Sequence, residues 1–255
     1  MLFSCATDSP RDLIRVISPA VYKQHNQLGV LEVDEHGFRF EVNDNSSVSM
    51  NIVIPAAKFT SYCFVEANPV RMTINLSKFL SCLKIFSNSS FETIIRAKDL
   101  VTIEVEISAT MSSAMCFVRT LVPLPKINFP PIIAEFNATI QTSALYELFK
   151  LVGAPHEIAI RGYSTNKALS ITTKCAFGDT SAELKNGIGD FRGLGDEINS
   201  SYSFHSFIPL VKSLWILSGK ETLIHISKEG ILEVQINTGD TSEFKLRIEP
   251  QAINN

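Results

Sequence analysis

A chain of 255 residues that is 45% hydrophobic and only 19% charged has enough apolar side chain for a sizeable core, and its length suits two domains of ordinary size. With 23 Lys+Arg against 26 Asp+Glu it is slightly acidic, unlike a protein that simply coats nucleic acid. Its five scattered cysteines show no CxxC spacing, no apolar run nears the roughly 20 residues of a membrane span, and the opening MLFSCATDSPRD lacks a hydrophobic signal core, so a soluble intracellular protein with reduced thiols is expected.

Ser9-Pro10 opens the first predicted helix, in which Leu13, Ile14 and Ile17 fall at helical spacing. Ser9 suits an N-cap, and Pro10 loses nothing at the first helical position. Hairpins follow: Leu28–Val33 and Phe38–Val42 flank a tight turn at His36-Gly37, and Asn43-Asp44-Asn45 turns the chain into Val48–Ile54. In Phe38-Arg39-Phe40-Glu41-Val42 apolar and charged residues alternate, the mark of a strand with one dry and one wet face. Ile74–Ser87 reads as a second helix with Leu80, Leu83 and Phe86 as its buried stripe. ETIIRA, a turn at Lys98-Asp99, and LVTIEVEI close this half.

Residues 121–133, LVPLPKINFPPII, hold four prolines, which deny ladder donors and stiffen the backbone into an extended surface connector. The segment is nevertheless apolar. Leu124, Ile127, Phe129 and Ile132 are therefore expected to pack on a sheet or to meet a partner peptide. Thr142 opens a third helix carrying Leu145, Leu148, Phe149 and Val152. Gly187–Gly195 is read as a loop, lacking the lysine and the strand-to-helix setting of a nucleotide-binding loop. His205–Ser218 is a fourth helix whose Val211, Leu214 and Leu217 superpose on Leu80, Leu83 and Phe86, and ETLIHI, a turn at Lys228-Glu229-Gly230, and ILEVQI follow it.

Both the second helix pair and its hairpin therefore repeat, and the chain is a tandem of two similar domains. Runs of hairpins after each helix predict an α+β class, with antiparallel sheets and helices gathered on one face. The expected division is 1–120, a connector at 121–133, and 134–255.

Catalytic chemistry is nearly invisible in this sequence. The five histidines are isolated, none with metal-binding spacing, and there is no GxSxG elbow or phosphate-cradling GxxxxGK[ST]. No catalytic residue, metal site or cofactor is expected. The predicted helices, by contrast, present a basic face: Arg11 and Arg15 on the first, Lys78 and Lys84 on the second, Lys150 on the third, Lys212 on the fourth, against only Asp12 and Glu147. A basic layer on an otherwise acidic molecule focuses its field where the helices gather, and phosphate is the natural counterpart.

Several stretches resemble the DNA sliding clamps of the proliferating cell nuclear antigen type. Gly37-Phe-Arg-Phe-Glu-Val-Asn-Asp-Asn-Ser-Ser-Val48 is similar to that family's strand and turn, Ile74-Asn75-Leu76 with Phe79, Leu83 and Lys84 to its first-domain helix, and the proline ribbon to its interdomain connector. Ile74–Ser87, Leu169–Gly178 and Tyr202–Ser218 most resemble the Rad-one subunit of the checkpoint (nine-one-one) clamp. The resemblance implies a clamp fold with sheets outside and two helices per domain inside. It implies a non-catalytic, nuclear subunit of a heterotrimeric ring around duplex DNA, placed by a clamp loader together with two other clamp subunits and serving checkpoint and repair proteins, with no membrane involved. Subunits would join by edge strands, here Ser112–Thr120 with Ala114, Cys116 and Val118, and Asp179–Asn186 with Thr180, Ala182 and Leu184. The chain departs from replicative clamps with Asn43 and Ser47 at the peptide pocket and Leu246 and Arg247 near its C-terminus. Two alternatives stay open: a replicative homotrimer and a metal-dependent nuclease, the latter needing several converging carboxylates.

Overall fold

The computed structural model describes residues 1–23, 26–43, 47–85, 92–108, 112–122, 124, 131–151, 157–163, 167–175, 178–185, 189–193, 197–217, 219–238 and 242–251. Two compact units emerge, Met1–Val42 with Asn51–Ile127, and Asn43–Met50 with Asn128–Asn255.

In chain order the first half forms β1 (Phe3–Thr7), α1 (Pro10–Ile17), β2 (Leu28–Asp34), β3 (Gly37–Asn43), β4 (Val48–Pro55), β5 (Ser61–Phe64), β6 (Val70–Asn75), α2 (Leu76–Leu83), β7 (Glu92–Ala97), β8 (Thr102–Ser108) and β9 (Ser113–Leu121). The strand order β4-β3-β2-β6-β9-β8-β7-β1-β5 is built from antiparallel pairs such as Val30↔Glu41 and Val105↔Cys116. Register is fixed where the dry face is: Phe38 and Phe40 are buried on β3, and Phe79 of α2 lies over Phe40 at 6.0 Å. Leu13, Val16 and Ile17 of α1 are buried as well, and α1 packs against α2. Both helices therefore sit on the side of Phe38 and Phe40, and the charged side chains of β2, β3 and β6 stand on the other.

Two local details differ from the sequence expectation. Ile74 and Asn75 finish β6, and α2 begins only at Leu76, because Asn75 caps it by accepting from the Lys78 amide at 3.0 Å. Ser9 donates its hydroxyl to Asp12 at 2.8 Å in place of an amide cap, with Pro10 at the start of the helix as expected. The β2–β3 turn requires glycine. Gly37 has φ +138°, and a Cβ there would lie 2.2 Å from the Ile54 carbonyl oxygen.

The second half forms β10 (Ala134–Gln141), α3 (Thr142–Leu151), β11 (Glu157–Tyr163), β12 (Ala168–Cys175), β13 (Gly178–Lys185), β14 (Gly189–Gly193), β15 (Glu197–Ser203), α4 (Phe204–Leu217), β16 (Glu221–Ser227), β17 (Leu232–Asn237) and β18 (Glu243–Ile248). Two antiparallel strand orders result, β14-β10-β16-β17-β18 and β13-β12-β11-β15. Phe207 of α4 meets Phe149 of α3 and Tyr202 of β15, both at 5.4 Å, which fixes the helix pair over its sheet. The stretch expected as a loop contains a strand: β14 pairs with β10 through Gly189↔Ile140 to Gly193↔Phe136 and buries Phe191. Thr142 begins α3 but spends its hydroxyl on Thr222 at 3.0 Å, tying helix to sheet. Phe86 and Val152, both expected in buried stripes, lie outside the described residues.

Candidate nucleic-acid interface and assembly edges

Amphipathic α1 and α2 bury one stripe and leave the other to water, and that is where the basic residues fall. Arg11 and Arg15 are exposed on α1, Lys78 on α2, Lys84 at its C-cap, and Lys150 on α3, with Lys212 half-buried on α4. Carboxylates accompany two of them, Asp12 at 3.6 Å from Arg15 and Glu147 at 3.5 Å from Lys150, which leaves each unit's helical layer with a basic excess. Reasoning from the sequence missed a second feature of α4. Val211, expected in the buried stripe, is only half-buried and lies on a different face, together with Phe204, Ile208 and Trp215.

Among the described residues, the strands named for assembly are open on one side. β13 ends the four-strand order with β12 as its neighbour, and β9 pairs with β8 through Ser113–Arg119, meeting β6 only at Thr120 and Leu121. Val118 and Leu184 are buried, Ala114, Cys116 and Ala182 half-buried and Thr180 exposed, so most of these side chains turn toward their own domain. Backbone parity adds a distinction. The Thr120 amide donates to Val101 at 2.9 Å, so in this unbroken register the amides of Val118, Cys116 and Ala114 also face β8, and those of Arg119, Phe117 and Met115 face the open side. Met115 is 49% and Phe117 52% exposed, giving the open edge two large apolar side chains.

On the opposite face of the first unit a charged cluster is almost dry. Glu32 accepts from Arg39 at 3.0 Å and from Arg71 at 2.5 Å, and Arg71 also reaches Glu41 at 3.0 Å. Burial works against the Arg71 charge, but its hydrogen bonds to Glu41 and Glu32 outweigh this and raise its pKa. The connector enters beside this cluster, where the Leu124 amide donates to the Thr73 hydroxyl at 2.9 Å. Leu124 is exposed and Ile132 half-buried, whereas Ile127 and Phe129 lie outside the described residues. Asn43 is exposed, Ser47 shares a hydrogen with Ser206 at 2.7 Å, Leu246 is buried, and Arg247 donates to Glu233 at 2.8 Å.

The sequence matches the family described as Repair protein Rad1/Rec1/Rad17 over residues 2–238. The chain belongs to that family. No curated protein matches it. Similar solved structures include the Proliferating Cellular Nuclear Antigen of Entamoeba histolytica, at 16% identity and a TM-score of 0.82 over 98% of this chain and 99% of that one. The PCNA of Thermococcus kodakaraensis is similar at 17% identity and 0.80 over 98% and 100%. A chain of the PCNA2-PCNA3 complex of Sulfolobus tokodaii is similar at 14% and 0.79 over 98% and 99%. Such identities establish the fold, and this Rad1-family chain has the PCNA-like clamp fold with its mostly antiparallel sheets. Family and fold together make it a clamp-type checkpoint subunit, and they are those of scaffolds rather than catalysts.

Several ionisable groups of this family member hold neighbouring strands together. Glu104 accepts from Arg96 at 2.7 Å and Lys98 at 3.3 Å, and the Arg96 hydrogen bond leads the effects that hold its carboxyl below the usual range. Glu233 is buried, which disfavours its charge, yet Arg247, Gln235 and Lys245 prevail and lower its pKa. Burial lowers the His225 pKa, Glu233 opposing and Lys245 adding to it, and Nδ1 stands 2.5 Å from Asn137 Oδ1. Among the described residues no three His, Cys, Asp or Glu side chains gather as a metal site. Burial, with Cys116 of β9 adding to it, pushes the Cys82 thiol of α2 up to about 12, an unreactive thiol at neutral pH. No helix among the described residues is long and apolar enough to cross a membrane.

Proposed function

We propose that this chain is a non-catalytic, nuclear subunit of a heterotrimeric DNA-damage checkpoint clamp that encircles duplex DNA, supports checkpoint signalling and recruits repair enzymes. The observation that carries the reading is the pair of open antiparallel edges, β9 in the first unit and β13 in the second. An open edge presents unpaired amides and carbonyls that invite a further strand, and β9 and β13, lying in different units, suit a head-to-tail ring that closes on itself. Family membership supports the checkpoint role, and the Sulfolobus tokodaii neighbour is itself part of a complex of two different clamp chains. The basic helical layers supply sequence-independent attraction for phosphate, through Arg11, Arg15, Lys78, Lys84, Lys150 and Lys212.

A clamp loader would open and place the ring, and Leu124, Ile127, Phe129 and Ile132 of the connector would meet peptides of the recruited proteins. The family resemblance puts Asn43 and Ser47 at the peptide pocket, and their polar side chains favour repair or checkpoint partners over the apolar peptides of replication factors. The replicative homotrimer is the second reading, favoured by the PCNA neighbours.

Light scattering on the purified chain separates the two. A monomer that enters a ring only with two different clamp subunits, and then stays on end-blocked duplex but slides off linear duplex, is the expected outcome. Self-assembly into a trimer overturns the heterotrimer in favour of the replicative ring.

A further inference from the structure

Helix α4 is apolar on two faces. Phe207, Leu210, Leu214 and Leu217 are buried against the second unit's sheet, as a core stripe should be. Phe204, Ile208 and Trp215 recur on a separate face, and a helix apolar all round is ordinarily buried all round. This one is not: Ile208 is 37% and Trp215 65% exposed. Tyr146 and Phe149 of α3 join them to form a cavity of about 320 Å³ that also has Lys212 in its wall. Lys150, next after Phe149, is exposed and stands 3.5 Å from Glu147. Four of the cavity's walls are therefore aromatic, and two ammonium groups belong to the helices that make it.

We propose that this cavity is a stacking site for one unstacked nucleobase of single-stranded DNA, with the flanking phosphates held by Lys150 and Lys212. Flat aromatic walls offer every base a π-face whatever its sequence, and lysines at the margin suit the backbone on either side, which is how single strands are gripped without sequence preference. A duplex keeps its bases inside the stack, so the rings of Tyr146 and Trp215 find no face to meet there. An amphipathic peptide helix is the poorer fit, since it needs a groove long enough for anchors at i, i+4 and i+7, and the lysines would bring that apolar ligand nothing. Glu147 competes with phosphate for Lys150, and two lysine–phosphate contacts should weaken binding with salt at a log–log slope of about −1.4. The inference deepens the clamp reading and rests on its assignment of the helical layer to DNA. It adds that the layer tells single from double strand.

Trp215 is the only tryptophan in the chain, so tryptophan fluorescence, excited at wavelengths where tyrosine does not absorb, reports on this site alone. The full-length chain is titrated with a 12-nucleotide oligothymidylate, with a 12-base-pair blunt duplex, and with an uncharged amphipathic helical peptide. Saturable, salt-sensitive quenching by the oligothymidylate, with none by the duplex at equal phosphate, is expected. By anisotropy of the labelled oligothymidylate, Trp215→Ala should weaken binding by roughly 5- to 150-fold, the worth of one base stack, and Trp215→Phe by less. Circular dichroism checks that both variants are folded. Equal quenching by duplex, quenching by the peptide but not the oligonucleotide, or unchanged affinity in folded Trp215→Ala overturns the stacking site. Failure of the clamp reading looks different: quenching by oligothymidylate persists, but no ring with other subunits is retained on end-blocked duplex.

Discussion

Phe117 stands directly across the β8–β9 ladder from Glu104, whose carboxylate turns to Arg96 at 2.7 Å rather than toward the ring. The repeated hairpin of the second unit puts Arg247 in the corresponding place, across from Glu233 and bonded to it at 2.8 Å. Both carboxylates thus find a guanidinium, one from β7 and one from β18. The difference falls on the strand opposite: Arg247 is 6% exposed and tied into its sheet, while Phe117 is left as an apolar side chain on an open edge. The repeated sequence is used differently in the two halves, and the open β9 edge with Phe117 is the place we propose for another subunit.

That asymmetry makes adjacent residues of β9 distinguishable. The Phe117 amide faces the open side and the Cys116 amide faces β8. Phe117→Pro should leave the chain folded, since proline is tolerated where the N–H points away from the sheet, but should abolish entry into a mixed ring. Cys116→Pro should instead lower the melting temperature of the isolated chain by several degrees, because it deletes a donor inside the β8–β9 ladder. Thermal melts and size-exclusion with light scattering read both. A ring formed by Phe117→Pro at wild-type yield places the interface on another edge.

The charged cluster under the connector sets a stability prediction. Arg71 serves both Glu32 and Glu41, whose side chains are 6% and 4% exposed. Arg71→Met leaves Glu41 buried without that partner and should cost about 3 kcal/mol, near the low end for breaking a buried pair because Arg71 itself retains some exposure. Adding Glu41→Gln should recover much of the loss, since the orphaned charge is then gone. Urea midpoints measure both. An Arg71→Met chain as stable as wild type would mean that water already screens the cluster.

Acid should weaken the second unit in two stages. Burial depresses the His225 pKa, so the folded chain holds the neutral imidazole while the unfolded chain takes up a proton near its ordinary value of about 6.5. Stability is then fully present above that value and falls as pH drops from it toward the lower folded pKa. The depressed Glu233 carboxyl adds a second loss at lower pH, beginning near the ordinary glutamate range. Denaturant midpoints between pH 7.5 and 4 should show the first slope, and His225→Asn should flatten it while leaving the second. Persistence of the first slope in His225→Asn would assign it to another group.

Much of this fold is legible in the sequence because it follows short-range period. Phe38-Arg39-Phe40-Glu41-Val42 gives its face at sight, as do Leu145, Leu148 and Phe149. Legibility fails where partners are remote. Gly189–Gly193 reads as a loop from its glycines, but pairing with β10 and burial of Phe191 against Phe136 make it a strand. Ser9 and Thr142 have the chemistry of caps, yet Asp12 and Thr222 claim their hydroxyls. The basic residues of the helices were readable from their spacing opposite the core stripe. The aromatic cavity is not: helical spacing alone puts Val211 in the core stripe, whereas it shares a separate face with Phe204, Ile208 and Trp215. Whether a strand is an edge is the least local property of all. For β9 and β13 it came through family resemblance rather than from their residues.

The proposed assignment of the basic helical layer to DNA is tested by charge reversal. Changing Arg11, Arg15, Lys78, Lys84, Lys150 and Lys212 together to Glu should leave each unit folded, because these side chains stand off the helices away from Leu13, Phe79, Leu148 and Leu214, which hold the core. Arg15 and Lys150 also lose attraction to Asp12 and Glu147, a cost of a few tenths of a kcal/mol each on an exposed helix. Single reversals should change little, since many solvated charges, including those of the other subunits, share the contact. The sixfold variant should shorten retention of the assembled ring on end-blocked duplex to a similar extent on unrelated sequences, as phosphate contacts carry no base information. Its salt dependence should also flatten, by about 0.9 in the log–log slope for each phosphate contact removed. Retention measured over a salt series decides the matter. An intact sixfold ring held as long as wild type at low salt would mean that these side chains face away from DNA.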